Sequence, residues 1–128
     1  MQNKTTVRNL SDKMSEDCIF CKIVNKEIPA RFEYENDQVV ALNDVNPQAP
    51  VHILIIPKEH IERVSDFGLK HRDLITEMVL VANELAEKKA IEKPGYRIVI
   101  NCNKAAGQAV FHVHLHLLGG RQMSWPPG

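Results

Sequence analysis

Apolar residues along this chain follow two periods. In residues 18–26, Ile19, Phe20, Ile23 and Val24 recur at intervals of three and four, which predicts a short amphipathic helix ended near Pro29. Residues 71–90 repeat the pattern at greater length, with Leu74, Ile75, Met78, Val79, Ala82 and Leu85 on one stripe. Asp73, Glu77, Glu84 and Lys88 lie opposite, so this is the one long helix. Elsewhere the β-branched and alternating runs predict strands at 32–35, 39–42 after an Asn36-Asp37 turn, and 51–56 closed by Pro57. Pro94-Gly95 breaks the long helix, residues 96–102 resume β character, and a small-residue turn at 105–108 leads into a last strand at 110–118. Residues 46–50 form the loop before the 51–56 strand. These elements give an α+β class: an antiparallel sheet of about five strands with one long and one short helix. Residues 1–14 are polar and aperiodic and are expected to be a disordered extension, leaving 15–128 as a single domain. Met14, just before the first element, offers an alternative start of translation.

The last strand carries the candidate chemistry. His112, His114 and His116 alternate with Val113, Leu115 and Leu117, so a strand there projects all three imidazoles from one face. A core-facing side would carry aliphatic residues, as the opposite side does; the plain alternative is an incidental histidine-rich edge. Three clustered imidazoles suit two chemistries. They can bind a transition metal, or one nitrogen can attack an electrophile such as phosphorus while its neighbours orient it and handle protons. The adjoining turn, Asn101 to Ala109, is rich in small residues whose backbone N–H groups can bind phosphate oxygens, a weak signal alone.

Composition narrows the ligand. Sixteen basic and sixteen acidic residues cancel in 128, leaving no basic field for nucleic acid or an anionic membrane, and a small ligand fits better. No segment has signal-peptide or membrane-spanning character, and three cysteines, Cys18, Cys21 and Cys102, are an odd count for a secreted disulfide framework. A cytoplasmic protein is expected. Cys102 reads as core, His52 as support for the triad or core, and His71 as a surface helix-start residue.

His112-Val-His-Leu-His-Leu-Leu118 resembles the motif of the histidine triad family throughout. Ile19-Phe-Cys-Lys-Ile23, Lys26-Glu-Ile-Pro-Ala30, Asp44 to Pro50, Ile56-Pro-Lys-Glu-His60 and the terminal Gly119-Gly-Arg-Gln-Met-Ser-Trp-Pro-Pro-Gly128 resemble its purine nucleoside phosphoramidase branch. The resemblance covers residues 18–128, and the terminal segment argues against the dinucleoside polyphosphate hydrolase and uridylyltransferase branches. It implies a homodimer whose sheet continues across two subunits. The activity it implies is hydrolysis of purine nucleoside 5′-phosphoramidates, of the AMP-lysine or AMP-NH2 type, to nucleoside monophosphate and amine. His114 would be the nucleophile forming a nucleotidyl-histidine, His116 would face phosphate or the departing group, and His112 would support them. No cofactor is required for that reaction.

The same resemblance assigns the nucleotide, an AMP or GMP derivative, to Asp44 and Val45 at the ribose and nucleoside, and to Asn101, Gly107, Gln108, Ala109, His114 and His116 at the phosphate. Read without it, Asp44 before Asn46-Pro47 is a turn residue. Ile19, Phe20, Ile23, Leu42 and Leu54 match the base pocket and equally suit core packing. Two positions depart from the family: Ala109 stands where the best-known members have serine, and Ser124 where close relatives have histidine. Cys18 and Cys21, with His60 and His112, match a structural zinc site of some members, against the reading of both cysteines as buried thiols. Two other classes stay open: a nucleotide-binding adaptor or sensor with incidental turnover, and a metal-storage or zinc-structural module.

Overall fold

The structure, a computed structural model, describes residues 17–127. The expected extension at 1–14 lies outside the described residues. The first element is helix α1 (Ile19–Val24), shorter than expected because Cys18 is its N-cap, its Sγ accepting the Cys21 N–H at 3.4 Å. Strands β1 (Tyr34–Glu35), β2 (Val39–Asn43) and β3 (Val51–Pro57) follow. The β1–β2 turn is set by Asn36, whose Oδ1 accepts the N–H groups of Gln38 and Val39. Helix α2 (Arg72–Lys88), preceded by a 3₁₀ turn at Leu69–His71, leads to β4 (Tyr96–Val99) and β5 (Leu115–Gly119).

The five strands form an antiparallel sheet in the order β1-β2-β3-β5-β4, which puts β3 at the centre. A central strand covered on both sides must be apolar on both, which explains the unbroken Ile53-Leu-Ile-Ile56 run. Ile53 and Ile55 meet Met78, Val81, Ala82 and Leu85 of α2, whereas Leu54 and Ile56 meet Phe20, Cys21 and Ile23 of α1. Ile53, Ile55 and Ile56 are fully buried, and each such side chain contributes about 1.5–3 kcal/mol. The α2 stripe differs from the expected one in detail: Val81 is buried and Val79 is 36% exposed.

The histidine strand is shorter than expected. Its ladder with β3 begins at Leu115, so only His116 of the three lies within β5. Continuing that register would place Val113 opposite Pro57, which has no N–H to give, and the Val113 N–H goes to the Ile61 carbonyl at 2.7 Å. Alternation still survives the loss of pairing. Val113, Leu115 and Leu117 are buried on the α2 side, while His112 and His114 each meet the Phe20 ring on the other.

Two single residues also differ from expectation. His71 is buried, 6% exposed, because its Nδ1 accepts the Gly68 N–H at 2.9 Å and its ring lies on Phe67. Cys102 is part-exposed beside Ser65 rather than core, because it follows the end of β4 where the chain leaves the sheet.

Candidate active site

The α1 side of the sheet holds a cavity of about 350 Å³. Ile19, Phe20 and Ile23 of α1 with Leu42 and Leu54 form one apolar part of its lining. Asn43, Asp44 and Val45 at the end of β2 also line it, as do Asn101, Gly107, Ala109, Val110, His114 and His116. Val45 is 98% exposed, which excludes a core role for it, and Ile19 is 48% exposed at the rim. Asp44 Oδ1 accepts the Asn46 N–H at 2.8 Å as a turn residue does, while Oδ2 lies 3.4 Å from His52 Nε2.

Hydrogen bonds fix which nitrogen of each imidazole is free. His114 Nδ1 lies 2.8 Å from the His112 carbonyl, which can only accept, so Nδ1 carries the proton and Nε2 keeps its lone pair. For His52, Nδ1 accepts the Gln48 N–H at 3.0 Å, so its proton sits on Nε2, 2.9 Å from His116 Nδ1. His116 Nδ1 is therefore an acceptor and its Nε2–H a donor. His112 Nε2 donates to the Pro57 carbonyl at 2.7 Å, leaving Nδ1 bare.

All three rings are held neutral. Burial lowers His116 to about 4, assisted by the nearby His114 and His52 and opposed by Asp44. Burial likewise lowers His112 to about 4, against its Pro57 bond. His114 is lowered by burial too, opposed by its bond to the His112 carbonyl and by Asp44. A neutral imidazole with one proton held and one lone pair free is the state a nucleophile needs.

The sequence-assigned residues mostly converge. Asp44, Val45, Asn101, Gly107, Ala109, His114 and His116 all line the cavity. Gln108 does not line it. Its side chain turns into the protein, where Oε1 accepts the Asn103 N–H at 2.8 Å and Nε2 donates to the Glu62 carbonyl at 2.7 Å. His112 lies behind the cavity, fully buried, and reaches His114 through its backbone carbonyl. His52 is the residue that sequence reasoning left unassigned between support and core. The signal was a histidine in the apolar β3 run, opposite Leu118 and beside His116 on the cavity face.

Behind His112 stands a second cluster. Cys18 Sγ, Cys21 Sγ, His60 Nδ1 and His112 Nδ1 all lie within 4.8 Å of one another. Individual separations are 3.2 Å between the two Nδ1 atoms, 3.2 Å from Cys21 to His60, 3.3 Å from Cys18 to His112 and 3.5 Å from Cys21 to His112. Tetrahedral zinc with these ligand types has ligand–ligand edges of about 3.3–3.8 Å, so the set fits. The bare Nδ1 of His112 lies 3.2 Å from His60 Nδ1, an approach that a shared proton or a cation held between them would satisfy. Asp44, His52 and His116 also approach one another. His52 cannot serve a metal there, because Nε2 holds its proton while Nδ1 accepts from Gln48.

Fold and cavity together define a small-ligand site lined by two imidazoles on an antiparallel sheet. The family described as scavenger mRNA decapping enzyme C-terminal binding matches residues 17–125. A purine nucleoside phosphoramidase of Escherichia coli K12 is 46% identical over 110 residues, 86% of this chain and 92% of that protein. An uncharacterised HIT-like protein of Synechococcus elongatus is 49% identical over 115 residues, 90% of this chain and all of that one. Among solved structures, a HIT family hydrolase from Legionella pneumophila superposes with a TM-score of 0.85 at 48% identity, covering 87% of this chain and 99% of that one. The chain belongs to the histidine triad (HIT) family, and it is one of its hydrolases. Among the described residues no helix is long and apolar enough to cross a membrane.

Proposed function

We propose that this protein hydrolyses purine nucleoside 5′-phosphoramidates to nucleoside monophosphate and amine through a nucleotidyl-histidine on His114. The observation that carries this reading is the 2.8 Å contact between His114 Nδ1 and the His112 carbonyl, because it leaves Nε2 as a bare nucleophile in the cavity. The base lies among Ile19, Phe20, Ile23, Leu42 and Leu54, the ribose diol faces the Asp44 carboxylate beside Val45, and the phosphate sits between Asn101, Gly107, Ala109 and the two histidines. His114 Nε2 attacks the α-phosphorus and the P–N bond breaks. The amine leaves with that electron pair and takes up a proton, which the water of the second step replaces. Water then attacks phosphorus, breaks the P–Nε2 bond and releases the monophosphate. His116 donates its Nε2–H to the phosphate or departing nitrogen, and His52 fixes that orientation. His112 is the support, supplying the carbonyl that orients His114. Splitting hydrolysis in this way replaces water by a positioned imidazole in the first displacement.

His114→Ala tests the reading: turnover of adenosine 5′-phosphoramidate should vanish while AMP binding persists. Retained turnover would refute it, and unchanged effects on a partner protein would favour an adaptor.

Three further assignments accompany this activity. Zinc held by Cys18, Cys21, His60 and His112 would be structural, fixing α1 and the 58–60 segment to the triad, and catalysis needs no cofactor. A homodimer would pair the exposed edge of β4, with Leu80 of α2, 54% exposed, on the outer helical face. Trp125, 83% exposed, belongs to the C-terminal segment that would reach a partner's site in such a dimer. The odd cysteine count and neutral charge suit the cytoplasm, with no nucleic acid or membrane among the partners.

A further inference from the structure

Residues 103–107 and Ala109 are all exposed, yet Gln108 among them is 5% exposed. A buried amide in an exposed turn must find its hydrogen bonds inside the protein. Gln108 does so on three sides. Oε1 accepts the Asn103 N–H at 2.8 Å, and Nε2 donates to the carbonyls of Glu62 at 2.7 Å and Val110 at 3.0 Å. Its own N–H donates to the Asn103 carbonyl at 3.1 Å, so residues 103 and 108 hold each other at both ends.

Two residues of this turn occupy the left-handed side of backbone space: Asn103 at φ 71° and Gly107 at φ 90°. For a non-glycine residue that conformation persists only where the surroundings impose it. Gln108 binds both the N–H and the carbonyl of Asn103, and Arg63 Nε donates to its Oδ1 at 3.0 Å. The Glu62 link also ties the turn to the segment whose Ile61 carbonyl receives the Val113 N–H.

Ala109 lies between Gln108 and Val110, both ends of the small ring that the Gln108 amide closes. It lines the cavity, its N–H has no acceptor among the described residues, and it carries no hydroxyl. We infer that Gln108 is a positioning residue, holding the Ala109 N–H as the donor to a phosphate oxygen. This rests on the reading of residues 101–109 as the phosphate end of a nucleotide site. It replaces direct nucleotide contact as the role of Gln108.

Calorimetric titration with AMP and with adenosine tests it, using the full chain and Gln108→Met, which keeps length and removes every side-chain hydrogen bond. The variant should bind AMP about tenfold more weakly or worse, while adenosine affinity stays within about twofold. An unchanged AMP affinity, or equal loss for both ligands, would overturn the inference, the latter indicating a general structural role. A wild-type protein that binds AMP no better than adenosine would sink the phosphate-site reading itself. Should the variant fail to fold, amide NMR of the wild type decides: AMP should shift the Ala109 N–H strongly and adenosine should not. An Ala109 amide indifferent to AMP would contradict the proposal.

Discussion

Ala109 lines the cavity with a backbone N–H that has no acceptor among the described residues and with no side-chain donor. Restoring a hydroxyl there adds one hydrogen bond, worth about 1 kcal/mol, or near tenfold in rate if formed only in the transition state. Ala109→Ser should therefore raise phosphoramidate turnover up to about tenfold, and steady-state kinetics showing an equal or lower rate would contradict that account. His116 allows a prediction from acidity. Its pKa falls from 6.5 to about 4 in the folded protein, so between those values the unfolded chain binds more protons than the native one. The contribution of neutral His116 is therefore complete above about pH 6.5 and is lost as pH falls through about 4. His116→Asn, which cannot titrate, should flatten that part of the stability profile in thermal melts from pH 7 to 4. An unchanged slope would show that His116 does not govern it.

Elements were legible where burial enforces a period. The five strands and the long helix stand in the expected order, and the unbroken apolar run of β3 follows from covering on both faces. Boundaries were less legible, because pairing depends on partners far away in sequence. Residues 110–114 have strand periodicity but lack a ladder, since Pro57 across the sheet donates no N–H. Similarly, Gln108 falls in the expected phosphate turn, but spacing alone does not reveal that its side chain points inward to Glu62. His52 was visible as an anomaly in an apolar strand, and its link to His116 needed the β3–β5 register. That register makes another position critical. A Cβ added to Gly119 at the end of β5 would lie 2.6 Å from Ile91 Cδ1 and 3.0 Å from its Cβ. Both the tip and the base of Ile91 would have to move, so Gly119→Ala should cost about 1–3 kcal/mol. Denaturant unfolding measures this, and an unchanged midpoint would mean that Ile91 relaxes freely.

For the whole molecule, sheet and site depend on one residue with several attachments. His112 meets Pro57 through Nε2, the cysteine pair through Nδ1, and His114 through its carbonyl. If zinc occupies the Cys18, Cys21, His60, His112 set, chelation should lower the melting temperature, and Cys21→Ser should remove the metal. Metal analysis of protein purified without chelators should give about one equivalent per chain, and less than about a tenth would argue for simple buried thiols. In solution the proposed dimer should sediment at twice the 14.5 kDa chain mass. The central claim is narrower than any of these: one imidazole nitrogen attacks phosphorus. Mass spectrometry after acid-free quenching with adenosine 5′-phosphoramidate tests it directly. The account predicts an adenylyl adduct on His114 that disappears in His114→Ala. Rapid turnover with no adduct at His114, or an adduct on another residue, would contradict it.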